Sequence, residues 1–162
     1  MTSIIIRAIT KDELENCVVL IRESFSTVAK EFHLTRENCP TNGAFLEVSH
    51  LNSDWKNDNH MYGLFEDSVM IGFMELKHKV SDSYELEKLS VHPRYRHLGY
   101  GALLIDYAKK IASEAQVQKI TLGMIEENTC LKEWYKTHGF IPTGTKKFDH
   151  LPFTVGFMEL IL

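Results

Sequence analysis

Apolar positions first recur as a β-branched run, Ile4, Ile5 and Ile6, which predicts a short strand stopping at Arg7. Thr10-Lys11-Asp12-Glu13 then has the spacing of a capping box, so a helix is expected to begin there. Leu14, Cys17, Val18, Ile21 and Phe25 follow at helical spacing and mark its buried face. From 26 to 59 the pattern weakens into small clusters (Phe32, Leu34, Phe45, Leu46, Val48) broken by Pro40, Gly43 and several Asn, which predicts short helix and loop. Residues 61–66 and 69–77 suit strands joined by a tight hairpin at Asp67-Ser68, and 84–91 suit a third strand. Strict alternation along that third strand puts Glu85, Glu87, Leu89 and Val91 on one face and Tyr84, Leu86, Lys88 and Ser90 on the other. A helix over 101–115 is expected from the stripe Leu103, Leu104, Tyr107, Ala108 and Ile111. A strand over 119–125, a short helix over 130–138 closed by Gly139, and strands over 142–148 and 154–161 complete an α+β chain, mostly sheet with few helices.

Composition narrows the reading. With 162 residues, 44% apolar and 25% charged, the chain can build its own core, and disorder or a disulfide-stapled miniprotein is excluded. Residues 1–162 read as a single domain, with no repeat or linker to divide them. A net charge of -4 argues against a general nucleic-acid binder, which needs a basic face to displace counterions from phosphates. Cys17, Cys39 and Cys130 are odd in number and form no CxxC pair, so free thiols in a reducing, cytoplasmic compartment are expected. The eight histidines show no HxxxH spacing either, and no metal site is expected. The run at 4–6 lacks the features of a signal peptide, and no apolar stretch approaches the ~18 residues of a membrane span.

Candidate chemistry concentrates in Val91-His92-Pro93-Arg94-Tyr95-Arg96-His97-Leu98-Gly99-Tyr100-Gly101-Ala102, a strand end, a glycine-bearing turn and a helix start. Free amides at a helix N-terminus carry about half a positive charge and can hold a phosphate without a basic side chain. Gly99-Tyr100-Gly101 lacks the third glycine of a dinucleotide fingerprint, and no Gly-Lys-Ser/Thr closes a Walker loop. A glycine-bearing turn can also start a helix with no ligand at all. Arg96-x-x-Gly99-x-Gly101, however, resembles the Arg/Gln-x-x-Gly-x-Gly/Ala signature of the GNAT N-acetyltransferase superfamily, and the strand and Val-x-Pro that many members show precede it. Asn128-x-x-Leu131-x-x-Trp134-Tyr135-x-x-x-Gly139-Phe140 is similar to that superfamily's later motif, in the right order and with a strand between. The resemblance covers 61–162 by element order, and the preceding residues fit only loosely.

The resemblance implies the GNAT fold, a mixed central sheet of about six to seven strands flanked by about four helices. It also implies acetyl-CoA as co-substrate, bound between two splayed parallel strands. Carried over by position, the backbone of Leu89 and Val91 pairs with the pantetheine arm. The amides of Arg96, His97, Leu98, Gly99, Tyr100, Gly101 and Ala102 hold the pyrophosphate, Asn128 bonds the pantetheine, and Tyr135 sits near the thioester sulfur. Two departures are visible: His97 stands where many members have glycine, and Leu131 replaces the usual alanine. If position 97 takes a positive φ, histidine is strained there.

Acetyl transfer to an amine needs the uncharged nucleophile, and freeing an alkylammonium of pKa near 10.4 at neutral pH costs about 4 to 5 kcal/mol. A carboxylate beside the thioester can take that proton. Glu87 and Glu85 are the candidate bases: Glu87 aligns with the basic glutamate of polyamine-type members and Glu85 with that of histone-type members. The alternative is that both are ordinary solvated strand carboxylates. Tyr135 is the candidate donor to the departing thiolate, with full transfer uphill by about 2 kcal/mol, or else a core tyrosine. The N–H of Leu89 is a candidate for stabilising the thioester oxygen. The basic run Arg94, Arg96, His97 suits the phosphates of CoA, with a solvated loop as the plain reading of Arg94. Phe25, Phe32 and His150-Leu151-Pro152-Phe153 lie where family members shape the acceptor pocket, though aromatic side chains are more often core.

The expected activity is therefore N-acetyl transfer from acetyl-CoA to a primary amine by direct attack in a ternary complex. Net acidity favours a small cationic acceptor such as a polyamine, amino acid or amino sugar. The alternatives are a CoA-binding regulatory module with little catalysis and a protein N-terminal or lysine acetyltransferase. Neither nucleic acid nor membrane is an expected partner, and a homodimer is left open.

Overall fold

A computed structural model describes residues 1–80 and 82–162. β1 (Ile4–Ala8) leads through a 3-10 turn (Lys11–Glu13) into α1 (Leu14–Glu31). Then come α2 (Val48–Lys56), β2 (His60–Glu66), β3 (Val69–Lys79), β4 (Ser83–Val91), α3 (Tyr100–Glu114) and β5 (Lys119–Ile125). α4 (Thr129–Thr137), β6 (Ile141–Lys147) and β7 (Thr154–Ile161) close the chain. The strands form one seven-stranded sheet in the order β1-β2-β3-β4-β5-β7-β6. Its neighbours are antiparallel except β4 and β5, which run parallel with α3 as the crossover. This is the expected α+β architecture of seven strands and four helices.

Local chemistry sets the element ends. The Thr10 N–H donates to Glu13 Oε1 at 2.8 Å, and Arg7 grips the same carboxylate with two N–H donors at 2.9 Å each. That pairing holds the Glu13 carboxyl down to about 2. α1 continues past Phe25 to Glu31, longer than the weakening pattern suggested, because Ser24 and Ala29 keep its buried face going and no breaker comes before His33 at φ 56°. The Asp67-Ser68 hairpin turn has positive φ at both residues, 47° and 73°, matching the twist of the flanking strands.

The sheet is covered on both faces. α1 and α2 pack Leu14, Cys17, Ile21 and Leu51 against Met61 and Phe73 on one side. α3 and α4 pack Leu104, Ile105, Ala108 and Tyr135 against Leu64, Leu76, Leu86, Ile120 and Met158 on the other. The stripe expected along α3 is rotated slightly: Leu103 is 43% exposed, while Ile105 is 1% exposed and joins the core. Among the described residues no helix is long and apolar enough to cross a membrane.

One departure matters for the site. Phe73 pairs with Ser90 but Glu75 with Glu87, so β4 carries one more residue than β3 between these pairs. This bulge centres on Lys88, which adopts φ 53°, and the Ser90 hydroxyl donates to the Lys88 carbonyl at 2.9 Å. The extra residue breaks the expected alternation. Lys88 shares the α1/α2 side with Glu87, whereas Leu89 and Val91 pack with Leu86 on the α3/α4 side.

Candidate active site

β4 and β5 pair only through Ser83–Lys119, Tyr84–Ile120 and Glu85–Thr121. β4 runs on to Val91 and β5 to Ile125 with no further pairing between them among the described residues, while β5 stays paired with β7 along its other edge from Lys119 to Ile125, so the two parallel strands diverge. The splay leaves the β4 edge beyond Glu85, including Leu89 and Val91, without a β5 partner. Backbone groups along such an edge must bond something other than a strand. Asn128 caps α4 and Tyr135 lies within it, and α4 follows closely on the end of β5 that has left β4.

The turn that ends β4 is built to present amides. His92 Nδ1 accepts from the Arg94 N–H at 3.2 Å, and Pro93 to Tyr95 make one 3-10 turn. His97 and Gly99 then take positive φ, 63° and 88°, before α3 begins. Among the described residues no hydrogen bond takes up the amides of His97, Leu98 or Gly99. Those of Tyr100, Gly101 and Ala102 open the first turn of α3, with no carbonyl behind them; the helix ladder starts with Leu103 N–H to Gly99 O at 3.2 Å. A Cβ built on Gly99 meets nothing within 4 Å, so an anion has free approach there. These residues fit a pyrophosphate.

Two members of the motif have other jobs. The Arg96 N–H lies 3.5 Å from Pro93 O, and the guanidinium donates to Ser24 O at 2.7 Å and Thr27 Oγ1 at 2.8 Å. Arg96 therefore ties the turn to α1, and His92 Nε2 adds a second tie at 2.7 Å from Glu23 Oε2. Gly101 serves packing: a Cβ there would stand 2.9 Å from Trp134 Cζ2, so only glycine lets α4 close on the start of α3. Arg94 is exposed and makes no ion pair among the described residues.

On α4, Asn128 Oδ1 accepts from the Leu131 N–H at 3.2 Å and caps the helix. Tyr135 is 7% exposed, its ring packed edge-on against Trp134 at 5.2 Å and Phe140 at 5.5 Å. Burial pushes its phenol well above the usual tyrosine range, so it stays a protonated donor. Phe32, Leu151 and Phe153 pack with Leu34, Cys39 and Ile125 in a satellite cluster beside α1.

The carboxylates form a larger constellation than the expected pair. Burial, with the neighbouring Glu87, pushes Glu85 up to about 7. Burial acts to raise Glu87 as well, but its hydrogen bond with Glu85 and the charges of Lys88 and Lys77 outweigh this and lower it. Glu85 also lies 3.8 Å from Lys79. Opposite Glu87 on β3, Glu75 is 0% exposed; its Oε2 accepts from Asn59 Nδ2 at 2.8 Å and its Oε1 has no hydrogen-bond partner among the described residues. Burial pushes Glu75 up to about 8. Oxygens of Asp54, Glu75 and Glu87 converge within 4.8 Å of one another, a donor set able to surround a cation, and Lys88 Nζ lies 3.0 Å from Asp54, 3.3 Å from Glu87 and 3.6 Å from Glu75. The positive charge at this cluster is the chain's own. Sequence reasoning missed Asp54, Glu75 and Lys88; the one available signal was a glutamate inside the apolar run Ile71-Gly72-Phe73-Met74-Glu75-Leu76.

Comparison with known proteins gives this geometry a family. The family model "Acetyltransferase (GNAT) family" matches residues 28–140, more than half of the chain. Spermidine N(1)-acetyltransferase of Thermoplasma acidophilum is 28% identical over 156 residues, 92% of this chain and 95% of that protein. The crystal structure of PaiA N-acetyltransferase from Thermoplasma acidophilum, in complex with coenzyme A, superposes with a TM-score of 0.78 at 25% identity, covering 99% of both chains. The ribosomal-protein-S18-alanine N-acetyltransferase from Escherichia coli shares the fold with a TM-score of 0.79 at 15% identity, over 98% of this chain and 94% of that one. The matched span contains the bulged β4, the turn of free amides and the capped α4, and the chain belongs to the GNAT family of acetyl-CoA-dependent N-acetyltransferases.

Proposed function

We propose that the chain transfers an acetyl group to a primary amine of a small cationic molecule, by direct attack within a ternary complex. The observation that carries this reading is the splay between β4 and β5, which has free amides at one end and Glu85 and Glu87 on the adjoining strand. A small acceptor is supported by the relative named for spermidine and by the chain's net charge of -4, which favours a cationic partner. The free thiols of Cys17, Cys39 and Cys130 suit a reducing, cytoplasmic setting, and the chain acts as one acetyltransferase unit.

Acetyl-CoA supplies the activated acetyl thioester when bound. The amides from His97 through Ala102 hold its pyrophosphate, and the edges of Leu89 and Val91 pair with its arm. Glu87, held ionised, takes the proton from the acceptor ammonium, with Glu85 as its proton-sharing neighbour. The Leu89 N–H faces charge developing on the carbonyl oxygen. As the amine nitrogen bonds the thioester carbon and the C–S bond breaks, the buried Tyr135 hydroxyl donates a hydrogen bond to the departing sulfur without surrendering its proton. The second proton shed by the nitrogen passes to the thiolate, which leaves as the free thiol.

Calorimetric titration with acetyl-CoA, using Gly99→Trp as the blocked control, tests the first half. Binding to the parent protein and its loss in the variant is the expected result. Thiol release with spermidine, free amino acids, amino sugars and N-terminal peptides then identifies the acceptor class. Glu87→Gln is expected to lower kcat by about 100-fold or more while leaving acetyl-CoA affinity unchanged. Faster turnover of peptides than of small amines would sink the small-acceptor reading.

A further inference from the structure

The bulge in β4 does more than interrupt a ladder. Lys88 is a long cationic side chain in a left-handed conformation that non-glycine residues rarely adopt, and such strain persists only where surrounding contacts fix it. Three contacts do so from three elements: Asp54 of α2 at 3.0 Å, Glu75 of β3 at 3.6 Å and Glu87 of β4 at 3.3 Å. Regular alternation would have put Lys88 and Glu87 on opposite faces. The extra residue turns the ammonium back onto the carboxylate that precedes it. Lys88 is exposed by only 15% and Asp54 by 16%, so water screens these pairs weakly.

We propose that Lys88 is a positioning residue for the transfer reaction: anchored by Asp54, its ammonium fixes Glu87 beside the splay and sets a positive charge against that carboxylate. The inference rests on the reading of Glu87 as proton acceptor, and it adds a division of labour among the acids. Asp54 holds the lysine, the buried Glu75 packs beside it, the lysine holds Glu87, and Glu87 meets the acceptor. Glu75 cannot meet it, being fully buried under α1 and α2.

Other charged groups face the same cluster and bear on its titration. From α2, His50 lies 4.0 Å from Asp54, and from β3, Lys77 acts on Glu87 while Lys79 pairs with Glu85. From α1, the buried Cys17 thiol is close enough to feel the charge of Glu75. None of these stands within ion-pair reach of Glu87, so Lys88 is its cationic partner among the described residues. Against burial, the hydrogen bond with Glu85 favours ionised Glu87, and so does the adjacent Lys88 charge, so removing Lys88 moves the ionisation of Glu87 to higher pH.

The test follows Glu87 directly. Carbon-detected NMR titration of the glutamate carboxyls, with Glu87→Gln supplying the assignment, is run on the parent protein, Lys88→Met and Lys88→Arg, beside pH profiles of kcat/KM with spermidine. The inference expects the Glu87 titration and the acidic limb of the rate profile to rise together by about one unit in Lys88→Met. Lys88→Arg restores both, and acetyl-CoA affinity is unchanged throughout. If Lys88→Met unfolds, the double variant Lys88→Met/Glu75→Gln, which removes the buried carboxylate left unpaired, is measured against Glu75→Gln. An unmoved Glu87 titration overturns the inference. A moved titration with a Glu87→Gln enzyme as fast as the parent overturns the proton-acceptor reading and leaves Lys88 as the group that sets Glu87.

Discussion

At the scale of single residues, two backbone conformations set the character of the turn before α3. Gly99 at φ 88° is unstrained, whereas His97 at φ 63° occupies a region uncommon for residues other than glycine. His97→Gly is expected to stabilise the protein by about 1 kcal/mol, a rise in melting temperature of about 2 to 4 °C, with acetyl-CoA affinity retained because the amide is unchanged. A lower melting temperature would mean that the imidazole makes a compensating contact. Tyr135 invites a different test. With its phenol held above the ordinary range by burial, it does not ionise at working pH. Tyr135→Phe is therefore expected to slow turnover while leaving the alkaline limb of the rate profile in place, and a shifted limb would show Tyr135 titrating as an acid after all.

At the scale of elements, α3 and α4 meet where a glycine faces a tryptophan. Gly101→Ala would press a methyl to 2.9 Å from the Trp134 ring, so a loss of about 1 to 3 kcal/mol is expected in chemical denaturation. Trp134→Phe in the same chain should recover part of it by removing the ring atoms that clash; no recovery would place the strain in the backbone. The positions of these helices were legible in the sequence because apolar spacing, Gly139 and the motif at 96–101 mark them. The bulge was not. Glu85-Leu86-Glu87-Lys88-Leu89 alternates well enough to hide an extra residue, and both Glu87 and Lys88 suit a half-buried face. Asp54 was obscured for another reason: it contributes only by meeting Lys88, 34 positions away, and local patterning carries no trace of such a contact. The turn of free amides was readable because its chemistry is local, while the carboxylate cluster was half read, with Glu85 and Glu87 visible and the residues that tune them assembled only by the sheet.

At the scale of the whole molecule, two carboxyls shape stability against pH in opposite senses. Glu13, held down to about 2 by Arg7, contributes stability above the ordinary glutamate range that is lost as pH falls toward that value. Glu75, pushed up to about 8, binds a proton that the unfolded chain releases. Its contribution is full below the ordinary range and fades as pH rises through 8. Glu75→Gln should therefore flatten the decline in melting temperature between mildly acidic and mildly alkaline buffer, and an unchanged slope would assign that decline elsewhere. The sheet itself is unevenly joined. Three residue pairs hold β4 to β5, where seven hold β5 to β7, so the strands on either side meet along a short seam. The seam is where cooperative opening needs to break the fewest bonds, and amides along it are expected to exchange with deuterium sooner than those of β3. A ligand that bonds both lips acts as an extra rung across it, so acetyl-CoA should slow exchange on strands it never touches.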